Sequence, residues 1–204
     1  MNKILYLLWF SDIFILTGFG LIAPILSIFI STQIPDGSIF AAGIASALYL
    51  IVKAIVQIPF SRYVDNSTHR VGWLYLGTLF VAIVPFIYYN AHSVKTIFIA
   101  QTIYGIGAGI ASASWLTIWS RHLDKNHEGS EWSLYSATVG IGTGMAAFIG
   151  ATLVTKIGFR PTIIIMGFLA IIGVGILIGL EYEHQKYPPE HMLKKVHPKH
   201  KFHK

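Results

Sequence analysis

The feature that most constrains this chain is a long apolar stretch near its beginning. Residues 4–30 form a run of 27 residues that carries a single charge, Asp12. As a helix the run would be about 40 Å long, at roughly 1.5 Å per residue, whereas the hydrocarbon core of a bilayer is about 30 Å thick. We therefore expect a transmembrane helix that is tilted or bent, and Pro24 is the residue that can bend it.

Five further apolar segments of similar length follow, so the sequence predicts an all-α, multi-pass membrane protein with six spans. Only 12% of the 204 residues are charged, about half the fraction that is usual in a soluble domain. The spans are expected at about residues 4–30, 39–60, 71–89, 96–119, 132–155 and 162–180. Together they form one predicted domain, 1–180, which is followed by a basic, histidine-containing tail, 181–204.

Lysine and arginine residues predict the orientation of the bundle. An even number of spans places both termini on one side of the membrane. That side carries Lys3, Arg62, Arg70, Arg121, Lys125 and six tail lysines, and the other side carries Lys95, Lys156 and Arg160. Because basic residues concentrate on the cytoplasmic side, we expect both termini in the cytoplasm and the spans in the cell membrane. The net charge of +6 is interpreted as orientation and contact with lipid headgroups, not as nucleic-acid binding.

Several kinds of site are not expected. The chain has no cysteine, which excludes disulfides and thiolate metal sites. No metal, cofactor or catalytic residue is predicted, since spans five and six contain no histidine for a serine protease and the His-Glu-x-x-His spacing is absent. Five histidines lie in the tail: His184, His191, His197, His200 and His203. Their irregular spacing favours a solvated basic tail, and weak metal binding is the alternative.

Asp12 is the residue that calls for a partner. A charge deep in a membrane helix costs about 2.5–3.5 kcal/mol on insertion scales, so we expect it to face protein or a water-filled cavity. Asp12 follows Lys3 by nine residues, and Lys53 precedes Arg62 by nine residues. Both therefore lie roughly 13 Å inside the same face of the membrane. This matched depth predicts an Asp12–Lys53 ion pair; the alternative is that Lys53 extends to the membrane surface and Asp12 hydrogen-bonds locally.

Glycines within the spans are expected to let neighbouring helices approach closely. These residues are Gly18, Gly20, Gly105, Gly107, Gly109, Gly140 and Gly144. Gly18 follows Asp12 by six residues in span one, and Gly107 follows Gln101 by six residues in span four. This weak similarity between spans one and four is of the kind expected from two inverted three-helix repeats, although chance is the alternative. The tryptophans, which fall near the predicted span ends, are expected to anchor the bundle at the membrane surface.

Four segments then point to a known family. They are Asp12 followed by GFGLIAPILS (18–27), the polar segment SRYVDNSTHR (61–70), QTIYGIGAG (101–109) and GIGTGMAAFIG (140–150). In order and in span number they resemble the first-helix pattern, the loop between helices two and three, and the glycine-rich fourth and fifth helices of one six-helix half of a major facilitator superfamily transporter. The resemblance covers about residues 4–180.

The resemblance implies roles for particular residues. Asp12, Lys53 and Gln101 would line the substrate or ion pathway, and Asp65 with Arg70 would act at the cytoplasmic gate. In the 61–70 segment only these last two residues keep the family pattern, which weakens the gating motif. Gln101 stands where the family usually has an arginine that is associated with proton coupling. Because an amide carries no charge, proton coupling is not expected at that position.

The function implied by the resemblance is secondary transport of a small solute by alternating access. Family members normally have two six-helix halves with the substrate site between them. A second copy of the chain or a complementary half would therefore complete the pathway, and the sequence names no substrate. The alternative is a non-transporting membrane protein that stabilises or regulates a partner. A third possibility is one half cut from a longer protein, although the polar tail looks more like a terminus or a linker between halves.

Overall fold

The computed structural model describes residues 3–186, and within them six helical spans are long and apolar enough to cross a membrane. The predicted all-α, six-span architecture is thereby confirmed. The helices are α1 (Lys3–Gly20), α2 (Leu26–Gln33), α3 (Ile39–Asn66), α4 (Arg70–Tyr89), α5 (Val94–His122), α6 (Glu128–Ile157) and α7 (Phe159–Lys186). The first span consists of α1 and α2, and α3 to α7 are the other five. Most of the predicted tail, with its lysines and histidines, lies outside the described residues.

The first span is interrupted where a bend was expected. After Gly20 the backbone forms a short 3₁₀ turn, Ala23–Ile25, with Pro24 near its start. Proline has no amide hydrogen to continue the helical bonding, so α1 ends and α2 begins after the turn. A side chain at Gly150 of α6 would collide with the Leu21 carbonyl at this break. The interruption therefore gives α6 a place to approach the backbone of span one closely.

The polar connections are shorter than the sequence suggests. Helix α3 was expected to end near Pro59, but it continues through that proline to Asn66, and only residues 67–69 separate it from α4. The expectation that 61–70 is a loop is therefore wrong for most of its length. Membrane helices tolerate an internal proline because neighbouring groups satisfy the freed carbonyl. Helices α5 and α7 also extend past their apolar spans, since a change in polarity marks the membrane surface and not the end of a helix.

The helices pack in a continuous series around the bundle. Helix α3 packs against α5, α5 against α4, α4 against α7, α7 against α1, and α1 against α6. Helices α3 and α6 stand at the two ends of this series. They are also the least covered spans, with 17% and 11% of their apolar windows buried, against 39% or more for the others. Four spans are thus well covered by their neighbours, whereas the apolar surfaces of α3 and α6 remain open.

Glycines on α5 explain how it packs against two neighbours at once. Gly105 and Gly109, one turn apart, meet the α3 backbone: a Cβ would lie 2.9 Å from the Tyr49 carbonyl and 2.9 Å from the Lys53 carbonyl, respectively. Gly107 points the other way and meets Gly77 of α4. Small residues on both faces bring the three helix backbones together without side chains between them.

The other predicted packing glycines fall into two groups. Gly18 lies against the backbone of α7 at Met166, and Gly20 lies against Ala146 of α6. Gly140 and Gly144 differ from the expectation, because a Cβ at either position would meet no atom within 4 Å among the described residues. Both lie on the part of α6 that no helix covers. Spacing alone identified the small residues of α6 but not the direction in which they point.

The glycine contacts predict a stability difference between two matched substitutions. Gly107→Ala would place a Cβ 2.6 Å from the Phe80 Cβ and 2.8 Å from the Gly77 carbonyl oxygen. Relieving such an overlap costs about 1–3 kcal/mol, so the thermal midpoint of the purified protein in detergent should fall. Gly175→Ala, in open space on α7, is the control and should leave the midpoint unchanged. Equal midpoints for the two variants would contradict the packing described here.

Candidate functional site

A cavity of about 390 Å³ lies between α1, α3, α4, α5, α6 and α7, in the half of the bundle nearer the chain termini. Its polar lining consists of Ser11, Asp12, Lys53, Gln57, Thr78, Ser112 and Tyr135. Its aromatic lining consists of Tyr49, Tyr104, Trp115 and Trp132. Two of the three residues predicted to line a pathway, Asp12 and Lys53, therefore share one cavity. A volume of this order falls at the lower end of the range for small-molecule sites, about 300–1,000 Å³.

Asp12 is held by a residue that the sequence analysis did not single out. The hydroxyl of Tyr135 on α6 donates a hydrogen bond to Asp12 Oδ2 on α1. A charge-assisted bond of this kind partly offsets the cost of placing a carboxylate within the bundle. Tyr135 follows the start of α6 at Glu128 by seven residues, about 10 Å, which is close to the depth of Asp12. Matched depth could therefore have identified this tyrosine as a candidate.

Lys53 lines the same cavity but does not form the predicted ion pair. Among the described residues the structure contains no ion pair between Lys53 and Asp12, and Asp12 is bonded to Tyr135 instead. The reason is the order of the helices: α3 packs on α5, whereas α1 packs on α6 and α7. Equal depth places two residues at the same height along the membrane normal, but it does not make their helices neighbours.

Gln101 lies apart from the other two predicted pathway residues. It lines a second cavity of about 230 Å³, on the other side of the bundle, with Phe19, Ile22, Tyr88 and Met166 among its neighbours. Its side chain is buried, and Oε1 has no hydrogen-bond donor in the part of the chain that the structure describes. The expectation that Asp12, Lys53 and Gln101 line a common space is therefore not met. If all three residues line a pathway, Gln101 does so at a different depth in the bundle from Asp12 and Lys53.

A stack of aromatic rings lies between the two cavities. Tyr49 and Tyr104 line both of them. Their ring centroids are 4.2 Å apart, and Tyr104 also stacks on Phe19 at 4.6 Å. Three helices, α1, α3 and α5, each contribute one ring. A solute that passed from one cavity to the other along this route would have to displace the stack.

Asp65 and Arg70, the predicted gate residues, meet at the end of the bundle. Arg70 is buried, and its guanidinium donates to the carbonyls of Val64 (3.2 Å) and Asp65 (3.0 Å). Arg121 at the end of α5 donates to the same Asp65 carbonyl at 3.0 Å. The hydroxyl of Thr117 lies 3.1 Å from Asp65 Oδ1. The last turn of α3 is thus tied to α4 and α5, and its backbone carbonyls accept most of these bonds.

Three tryptophans expected at the membrane surface pack against one another; Trp119 is buried, and Trp115 and Trp132 are half-buried. Trp115 and Trp119 stack with centroids 4.8 Å apart, and Trp132 packs against both. Tyr135 belongs to the same cluster, at 4.8 Å from Trp115. The anchoring role is therefore wrong for Trp119, and for Trp115 and Trp132 it stays a prediction. Position near a span end did not distinguish a surface ring from one that packs between α5 and α6.

Six helices long and apolar enough to span a membrane, packed around a cavity, define a polytopic membrane protein. The sequence model of the Major Facilitator Superfamily matches residues 8–202, which is nearly the whole chain. The chain therefore belongs to the Major Facilitator Superfamily. The resemblance noted in the first-helix, loop and glycine-rich segments is confirmed by this match.

One relative from the archaeon Methanocaldococcus jannaschii is an uncharacterised MFS-type transporter. It is 21% identical to this chain over 172 residues, which are 84% of the chain and 44% of the relative. The chain thus spans about half the length of the curated relative that it matches. The match supports assignment to a transporter family and not to a family of enzymes.

The Asp12–Tyr135 bond predicts coupled effects of two substitutions. Tyr135→Phe removes the donor and leaves the carboxylate without that partner, which should lower stability by about 1–3 kcal/mol. Combining it with Asp12→Ala should cost less than the sum of the single changes, because each change removes one partner of the same hydrogen bond. Thermal unfolding in detergent measures all three, with Tyr63→Phe as an exposed control. Strictly additive losses would contradict the bond.

The cluster at Asp65 predicts that its backbone matters more than its carboxylate. Arg70→Gln deletes the guanidinium bonds to the buried Val64 carbonyl and to the part-buried Asp65 carbonyl, and should destabilise the protein by about 1–3 kcal/mol. Asp65→Asn keeps both carbonyl contacts and the acceptor for Thr117, so it should cost less than about 1 kcal/mol. Arg160→Gln, an exposed arginine, is the control for loss of charge. A cost for Asp65→Asn that equals that of Arg70→Gln would indicate an ion pair instead.

Proposed function

We propose that this chain forms one half of a secondary transporter for a small solute. The observation that carries the proposal is the charged cavity beside α3 and α6, the two spans that other helices cover least. A second six-helix half, either another copy of the chain or a complementary half, packs against these two helices and encloses the cavity. Membership of the Major Facilitator Superfamily and a matched length of 44% of a transporter support this arrangement.

Alternating access is proposed to act at the aromatic stack and at the bundle end. The two cavities lie on opposite sides of Tyr49 and Tyr104, so each is open to a different side of the partition. Rocking of a second half against this one would open the space beside the rings toward one side of the membrane while closing it toward the other. Asp65 and Arg70, at the far end of the larger cavity, are proposed as gate residues because their bonds tie α3 to its neighbours.

The proposed topology places both termini in the cytoplasm and the spans in the cell membrane. Its support is the excess of lysine and arginine on the side of the termini. In this orientation the cavity that contains Asp12 and Lys53 faces the cytoplasm, and the cavity that contains Gln101 faces outward. A solute would meet a charged site from one side and an uncharged amide from the other.

Cross-linking tests whether a second half covers α3 and α6. The chain has no cysteine, so a thiol introduced at Ile55 of α3 or Ile141 of α6 is unique. Both side chains are about two-thirds exposed in the isolated half. We expect a bifunctional maleimide, applied to native membranes, to join Ile55→Cys of one half to a second half, and Ile141→Cys likewise.

The control for this experiment is Phe168→Cys on α7, which is as exposed but lies away from the cavity. Cross-linked species should form at the first two positions well above the level at this control. Co-expression of two differently tagged copies distinguishes a second copy from a complementary half. No cross-linking above the control would reject the shared pathway and favour a protein that does not transport.

A further inference from the structure

The larger cavity contains one acidic and one basic side chain, Asp12 and Lys53, that form no ion pair with each other among the described residues. Asp12 lies on α1 and Lys53 lies on α3, and these helices pack against different neighbours. Asp12 is bonded through Oδ2 to Tyr135, which leaves Oδ1 as a second acceptor. Lys53 carries three donors on a flexible stem. Both groups are therefore able to bind a ligand that enters the cavity.

Separated charges in a membrane protein need solvation from some source. In a medium of low dielectric an unpaired carboxylate or ammonium is costly, and direct contact would be the simplest way to reduce that cost. The structure does not use it, since Asp12 is hydrogen-bonded to Tyr135 and the described residues contain no ion pair between Asp12 and Lys53. Water or a ligand with complementary charges would have to fill the cavity. A ligand that bears both charges would neutralise the two groups at once.

The remaining lining suits an apolar body between two charged ends. Trp115, Trp132, Tyr49 and Tyr104 contribute aromatic surface, and Ile15 contributes aliphatic surface. Aromatic faces also attract cations, which favours an ammonium group near this wall. An uncharged sugar-like solute could hydrogen-bond Asp12 and Lys53, but it would bring no opposite charge to either residue. The lining therefore favours a solute with charged groups over a neutral polyol.

We propose that the cavity recognises a zwitterionic solute of amino-acid size, with its ammonium group at Asp12, its carboxylate at Lys53 and an apolar side chain against the aromatic wall. This inference rests on the proposed transport function, because it concerns the same site. It adds the chemical class of the solute and the role of each charged residue. Tyr135 acts as a positioning residue that orients the Asp12 carboxylate.

A series of related ligands tests the inference on the unmodified protein. Phenylalanine carries both charges, its methyl ester carries only the ammonium, and N-acetylphenylalanine carries only the carboxylate. Calorimetric titration of the purified assembly should give at least about tenfold tighter binding of phenylalanine than of either derivative, since each derivative loses one charge-assisted contact. Equal affinities for the three compounds, or no binding of phenylalanine, would overturn the proposal.

Two variants then assign the charges. Asp12→Asn should weaken the binding of phenylalanine and of its methyl ester while leaving the binding of N-acetylphenylalanine unchanged. Lys53→Met should weaken the binding of phenylalanine and of N-acetylphenylalanine while leaving the binding of the methyl ester unchanged. The exchange Asp12→Lys with Lys53→Asp keeps both signs in the cavity and should retain binding of phenylalanine. Lys156→Met, an exposed lysine on α6 outside the cavity, is the control. Equal weakening of all three ligands by each variant would overturn the assignment.

Transport in proteoliposomes distinguishes failure of the inference from failure of the proposed function. Selective binding of phenylalanine without counterflow of labelled phenylalanine would uphold the zwitterion site and reject transport. A cross-linked assembly of two halves that binds the three compounds equally would support the proposed pathway and reject the zwitterion site. Binding with counterflow, abolished in Lys53→Met and kept in Lys156→Met, would support both.

Discussion

The hydrogen bond between Tyr135 and Asp12 is the interaction on which the cavity depends. It links α6, the least covered span, to α1 at a depth where water is scarce. In hydrocarbon an exposed carboxylate is costly, so the bond gives α6 a strong preference for one rotation about its axis. That rotation also places Trp132 beside Trp115 and Trp119. One polar contact and its aromatic surroundings thus set one wall of the cavity.

The opposite wall is set by a different kind of contact. Helix α3 lies against α5 through Gly105 and Gly109, where backbone meets backbone and no polar side chain takes part. Dispersion between closely packed atoms is the main attraction available within a bilayer, because apolar side chains gain little by leaving lipid. The close approach holds Tyr49 of α3 over Tyr104 of α5, which forms the partition between the cavities. Lys53, one turn further along α3, then faces the cavity.

The sequence predicted what depends on distance along a helix. The six spans, the bend at Pro24 and the shared depth of Asp12 and Lys53 all follow from counting apolar residues at a known rise per residue. It did not predict what depends on rotation about a helix or on the order of helices. The Asp12–Lys53 ion pair, the placement of Gln101 and the outward direction of Gly140 are of this second kind. Each requires knowing which helices are neighbours, and six antiparallel spans of similar length permit many arrangements.

We propose that this chain supplies one half of a pathway that a second six-helix half completes. Native mass spectrometry of the protein, released from lipid nanodiscs, counts the halves in one particle. We expect a particle that contains two six-helix halves, with a mass of about 45 kDa if both are copies of this 22.6 kDa chain. A particle with a single half, unchanged across lipid compositions and protein concentrations, would contradict it.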